Sequence, residues 1–157
     1  MPMTPDQFKA VVNQHAQRYR DSCSPSLAEM LLKVRGAVAM NYYDEQERDK
    51  DQNVGLKHIN NQTIAGQTFR RLQDTASSKN FRERIDELLA ADKPVGIYLS
   101  TPFGFHGFVI AGREQGHYLL LSKFSEEGNG EGRITFEARM PEDALNAFAG
   151  RDCIYLE

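Results

Sequence analysis

Pro94-Val-Gly-Ile-Tyr-Leu-Ser100, then a turn-like Thr101-Pro-Phe-Gly104, then His106-Gly-Phe-Val-Ile-Ala111, is the stretch on which the fold turns. Both runs are rich in β-branched and aromatic residues and are bounded by Gly and Pro, the pattern of strands joined by a turn. Gly112 to Gly116 reads as a hairpin loop and His117 to Phe124 as the next strand. Beyond the acidic, Gly-rich Ser125 to Gly132 loop come a fourth strand (Arg133 to Glu137), a short helix (Pro141 to Phe148) and a closing strand (Cys153 to Leu156).

Upstream the period changes from two to 3.6. Thr4 as N-cap, Pro5 at the first helical position and Asp6 in the first turn open a helix. Phe8, Val11, Val12, His15 and Tyr19 follow at helical spacing. A second helix is expected with Ser24 as N-cap, Pro25 in the first turn, an apolar stripe of Leu27, Met30, Leu31 and Val34, and Gly36 as terminator. A third runs from about Ser78 to Ala91, with Phe81, Ile85, Leu88 and Leu89 on one face. Between them, Asn41 to Thr75 shows no clear period, and the mixed charges of Asp44 to Asp51 read as a solvated loop or helix end. Helices first and an antiparallel sheet after is the α+β pattern, and 157 residues without repeats or linkers make a single domain, 1–157.

The balance of 19 basic against 22 acidic residues gives a net charge of −3. A nucleic-acid partner is not expected, because phosphate contacts need clustered Lys and Arg. The apolar runs are too short to span a bilayer. No secretory signal is visible, so the expected location is cytoplasmic, or outside the cell by a route without a cleavable signal peptide. No His or Cys spacing resembles a metal site, and Gly128-Asn-Gly-Glu-Gly132 opens no helix, so neither metal nor cofactor is expected. Cys23 and Cys153 are both read as reduced. Cys153, in the apolar closing run, reads as a small buried hydrophobe.

Cys23 lies just before the N-terminus of the second helix, where unpaired N–H groups and the helix dipole favour a thiolate. His106, at a strand start, is the candidate base that a nucleophilic cysteine needs. Such a pair is common in chains of this length, and spacing alone does not separate a site from two structural residues.

Gln17-Arg-Tyr-Arg-Asp-Ser-Cys23-Ser-Pro-Ser-Leu-Ala-Glu-Met-Leu-Leu32 resembles the N-terminal motif of the bacteriocin-processing, double-glycine-leader cysteine peptidases and their stand-alone papain-like relatives. The second half is similar as well: Ile85-Asp-Glu-Leu-Leu-Ala-Ala-Asp-Lys-Pro-Val-Gly-Ile-Tyr-Leu99 with His106-Gly-Phe-Val-Ile-Ala-Gly112 follows that family's helix, Pro-Val strand and His-led strand. The resemblance covers about two-thirds of the chain and leaves Asn41 to Thr75 unmatched. It implies a papain-like fold and a thiol peptidase acting on a peptide or protein. Cys23 would be nucleophile, His106 base, and Gln17 oxyanion donor together with the Cys23 N–H. The family's Asp or Asn that orients the imidazole is replaced by Ser122, a hydroxyl without charge. Ser24 also stands where a Gly is usual. Asn129 is an alternative orienter, and Gln14 is the fallback for Gln17.

The remaining histidines have plainer readings: His15 a satisfied core residue, His117 a surface strand end, His58 unassigned. Phe103, Phe105 and Phe108 are candidates for a substrate cleft, with core packing the simpler account of Phe108. Two other functions compete with the peptidase. One is an amidase, deamidase or acyltransferase of the bacterial-effector kind, using the same pair. The other is a catalytically impaired papain-like binding module. The oligomeric state has no signature in the sequence.

Overall fold

The computed structural model describes residues 3–19, 22–52, 54–73, 81–101, 104–123, 135–147 and 152–157. Among the described residues five helices and seven strands follow in the order α1 (Pro5–Gln14), α2 (Cys23–Arg35), α3 (Asp44–Arg48), α4 (Leu56–Ile59), β1 (Thr63–Ile64), β2 (Gln67–Gln73), α5 (Phe81–Ala90), β3 (Val95–Thr101), β4 (Gly104–Glu114), β5 (His117–Lys123), β6 (Thr135–Pro141) and β7 (Asp152–Leu156). A 3₁₀ turn, Glu142–Ala147, joins β6 towards β7. The strands form one sheet in the order β1-β2-β7-β3-β4-β5-β6, and every neighbouring pair is antiparallel. The α+β class expected from the sequence is the class observed.

The chain's last strand is not an edge. β7 lies between β2 and β3, with Ile154 opposite both Arg71 and Gly96. The long hairpin β3–β4 continues into β5 through a two-residue turn at Gln115 and Gly116, tighter than the Gly112-to-Gly116 loop expected. The register slips between Ile110 and Gly112, so one extra residue bends β4.

Each face of the sheet has its own core. On one, α1, α2 and α4 press Val12, Leu27, Leu31, Leu56 and Ile59 against Phe69, Val109, Leu121 and Ile154. On the other, α5 and the 3₁₀ turn bring Phe81, Ile85 and Leu145 onto Ile97, Phe108, Ile110, Tyr118, Leu120 and Cys153. Period-two alternation along β4 and β5 divides their residues between the two cores.

α1 starts where the sequence placed it. The Thr4 hydroxyl accepts the Gln7 N–H at 3.2 Å and the Gln7 side chain accepts the Thr4 N–H at 2.8 Å, a complete capping box. The helix stops at Gln14, so Tyr19 falls outside it, although the apolar spacing had carried it on. α2 begins at Cys23 with Ser22 as N-cap, two residues before the start expected from Ser24. Pro25 sits in the first turn, where no backbone N–H is needed. The first i→i−4 bond is Ser26 N–H to the Ser22 carbonyl at 2.8 Å.

α2 lies against the sheet closely enough to demand glycine beneath it. A Cβ on Gly96 would stand 2.8 Å from the Leu27 side chain, and one on Gly107 would stand 2.4 Å from the Tyr98 ring and 3.2 Å from Leu27. These two positions fix the height of α2 over β3 and β4, and with it the position of Cys23.

Candidate active site

The residues singled out from sequence fall into two hydrogen-bonded pairs. The first is at the head of α2. The Gln17 side-chain amide, in a residue 4% exposed, donates to Cys23 Sγ at 3.3 Å and to the Tyr19 carbonyl at 3.3 Å. Cys23 is half-buried and unpaired by disulfide. As the first residue of α2 it presents an N–H from the turn that has no intrahelical partner. Gln14, the fallback donor, instead bonds its own helix at Ala10.

The second pair is on the sheet. His106 Nε2 lies 2.7 Å from Ser122 Oγ, and Ser122 Oγ donates to the Gly107 carbonyl at 2.5 Å. A serine has one hydroxyl proton. With that proton on Gly107, Ser122 accepts from Nε2–H. Burial lowers the His106 pKa, and a hydrogen bond to the Lys123 backbone carbonyl pulls it back up. The imidazole packs edge-on to Phe108, whose ring in turn meets Phe136.

The two pairs approach each other around Tyr98. Tyr98 OH is 2.5 Å from Ser24 Oγ, next to Cys23. The Tyr98 ring also covers Gly107, next to His106. Tyr98 is opposite Gly107 in the β3–β4 register, and Leu99 is opposite His106. Alternation thus sets Gly107 on the α2 face and His106 with Phe108 and Ser122 on the α5 face. The thiol and the imidazole approach the same piece of backbone from its two sides. Burial and the nearby Cys23 both raise the Tyr98 pKa, which keeps the phenol protonated and able to donate.

Behind Gln17 and Cys23 lies a buried polar cluster that the sequence did not reveal. Glu29, fully buried, accepts the Glu45 N–H at 3.0 Å, the Gln46 N–H at 3.2 Å and the Gln46 side chain at 2.7 Å. Its carboxylate serves the unpaired N–H groups at the start of α3, while burial lifts its pKa to about 7. His15 is enclosed, between Lys33 Nζ at 2.8 Å and Ser26 Oγ at 2.9 Å. Burial, then the charges of Lys33 and Lys123, push its pKa well below the usual value. It is a hydrogen-bonded interior histidine, as its place on the apolar stripe suggests. His58 and His117 have local partners at Gly55 and Gln115.

Phe108 is 6% exposed and part of the α5-side core, and Phe105 lies on β4. Phe103 and Asn129 lie outside the described residues. Cys153 is fully buried and its thiol pKa is pushed up to about 12, chiefly by burial. Among the described residues no group of three or more His, Cys, Asp or Glu is placed to hold a metal ion. No described helix is long and apolar enough to cross a membrane. A cavity of about 670 Å³ opens at the far end of α2 from Cys23, between Phe8, Val34, Leu89 and Ala111. Compared with known proteins, the chain matches no family model and no curated sequence.

Proposed function

We propose that the protein is a thiol hydrolase of the papain-like kind, cleaving a peptide or amide bond through an acyl-enzyme on Cys23. The observation that carries the reading is the Gln17 amide held on Cys23 Sγ, six residues away, at the first turn of α2. Few structural roles ask for a buried carboxamide N–H on a thiol. Catalysis asks for one, because the carbonyl oxygen of a bound substrate gains negative charge beside the sulfur that attacks it. One such donor contributes about 2.7–4 kcal/mol to transition-state stabilisation.

This scheme requires the His106 imidazole to come within hydrogen-bond reach of the thiol, about 3 Å; it then takes the thiol proton and the sulfur adds to the scissile carbonyl. Gln17 and the Cys23 N–H hold the oxyanion. The imidazolium protonates the leaving amine, and water then displaces the sulfur by the reverse sequence. Ser122 lies against Nε2 of the ring but brings no charge to stabilise the imidazolium.

That missing charge, together with the placement of His106 on the α5 face, favours a second reading: a papain-like module that binds a peptide segment without cleaving it. An activity-based thiol probe separates the two. For a hydrolase, Cys23 labels rapidly at neutral pH, and His106→Ala abolishes the rapid phase. Labelling at the rate of an ordinary thiol, insensitive to His106→Ala, would sink the hydrolase. Turnover of a fluorogenic peptide library that survives Cys23→Ala would remove Cys23 as nucleophile.

A further inference from the structure

We propose that Gln46 is the positioning residue that sets the Gln17 amide against the Cys23 thiol. The inference deepens the hydrolase reading and rests on it for its catalytic meaning.

Gln46 is fully buried, and every hydrogen-bonding position of its carboxamide is filled. Its Nε2 donates to the Ala16 carbonyl at 2.9 Å and to Glu29 Oε1 at 2.7 Å. Its Oε1 accepts the Arg18 N–H at 2.8 Å and shares the single Ser22 hydroxyl proton, at 2.8 Å, with the Tyr19 carbonyl at 2.7 Å. Three of these four contacts fall on the chain that delivers the candidate site. Ala16 and Arg18 flank Gln17, and Ser22 is the N-cap immediately before Cys23.

The segment from Ala16 to Ser22 has no helix or strand of its own among its described residues. Its geometry must therefore come from side chains. A single carboxamide grips it on both sides of the donor and again one residue before the nucleophile. Because both amide faces are committed, the group cannot rotate without breaking two bonds at once. Glu29, anchored on α2, holds the other end of the grip and ties it to the helix that carries Cys23. The path from Glu29 through Gln46 to the Gln17 backbone thus closes a loop that ends at Cys23 Sγ. A site built on irregular chain needs such a support if its donor is to hold the reactive geometry.

A donor on a thiol favours the thiolate. The pH profile of Cys23 alkylation by iodoacetamide therefore reads the Gln17 contact without requiring turnover. Gln17→Ala moves the profile midpoint to higher pH. The proposal expects Gln46→Ala to move it the same way, and the double variant to move it no further than the larger single change, because the two act in series. Ser22→Ala, which removes one bond of the four, gives a smaller shift that is also absorbed by Gln17→Ala. It decides the matter if Gln46→Ala loses its circular dichroism. A profile unmoved by Gln46→Ala and Ser22→Ala, shifts that add to that of Gln17→Ala, or a Gln17→Ala variant indistinguishable from wild type overturns the proposal. The hydrolase reading fails by a different result, His106-independent labelling, which leaves the coupling of Gln46 to Gln17 readable.

Discussion

The two faces of the sheet are filled with different chemistry. Against α5 the interior is hydrocarbon apart from the His106–Ser122 pair, with Phe81, Ile85, Ile97, Ile110 and Leu145 closing on one another. Charge is kept to the rim, where Arg82 and Arg113 share Glu142. Against α2 the apolar residues are interrupted by Glu29, Lys33, His15, Gln46 and Lys123, all nearly or wholly buried. Burying ionisable groups is costly unless each is satisfied, and replacing such groups by apolar residues of like size is often neutral or stabilising. A fold needing only stability would have two faces like the first. The polar groups gather behind Gln17 and Cys23, where hydrogen bonds supply what dispersion does not: one geometry for an irregular segment.

The largest effect that tests this contrast is on the apolar side. Phe81→Ala, at a ring 1% exposed, should cost about 3–5 kcal/mol in urea unfolding, with the same loss at pH 5 and pH 8. A loss that varied with pH would mean that the two faces are not chemically separate.

On the polar side stability should depend on pH. Glu29 has a folded pKa of about 7, above its value of 4.5 in an open chain, so the folded state holds a proton that the unfolded state releases. Its contribution is fully present below pH 4.5 and is lost as pH rises through 7, worth about 3 kcal/mol across that window. His15, whose pKa burial pushes well below its usual 6.5, gives the opposite slope in the same window. Denaturant unfolding at half-unit steps therefore reads Glu29 as the difference between wild type and Glu29→Gln, which should fall as pH rises through 7. A difference that rises with pH would put Glu29's pKa on the other side of its usual value.

The β4–β5 pair gives a smaller and more local signal. A carboxylate facing an imidazole favours its charged form, so Ser122→Asp should raise the His106 pKa in an NMR titration, with hydrolytic activity kept or improved. A lowered pKa would show that residue 122 does not meet the ring in solution. The smallest effect belongs to the exposed cap of α1. Thr4→Ala should cost about 1 kcal/mol, and a loss several times larger would tie that cap to the buried cluster behind it.

The contrast also marks where the sequence could be read. α1, α2, α5 and β3 to β5 announce themselves because each buries a face at its own period and begins or ends on a residue with a local reason to be there. β2 does not. Its apolar residues, Phe69 and Leu72, are three apart and serve opposite cores, while Arg70 and Arg71 stand between them, so neither period appears. α3 has five residues, and its first turn is held by Glu29 from another helix, which no local pattern could report. Gln46 was hidden for the same reason, inside a charged run that looks solvated. Cys23, Gln17, His106 and Ser122 stood out by type and by resemblance. The support of the first two came from the stretch that resembled nothing.

The difference between the two thiols turns the chain into a gauge of its own opening. Cys153 sits on an interior strand of the sheet with no exposed surface, whereas Cys23 reaches solvent. A maleimide dye added to the folded protein should count one sulfhydryl per molecule. The second becomes countable only when β7 leaves its two neighbours, so the arrival of the second equivalent clocks global unfolding without any engineered reporter.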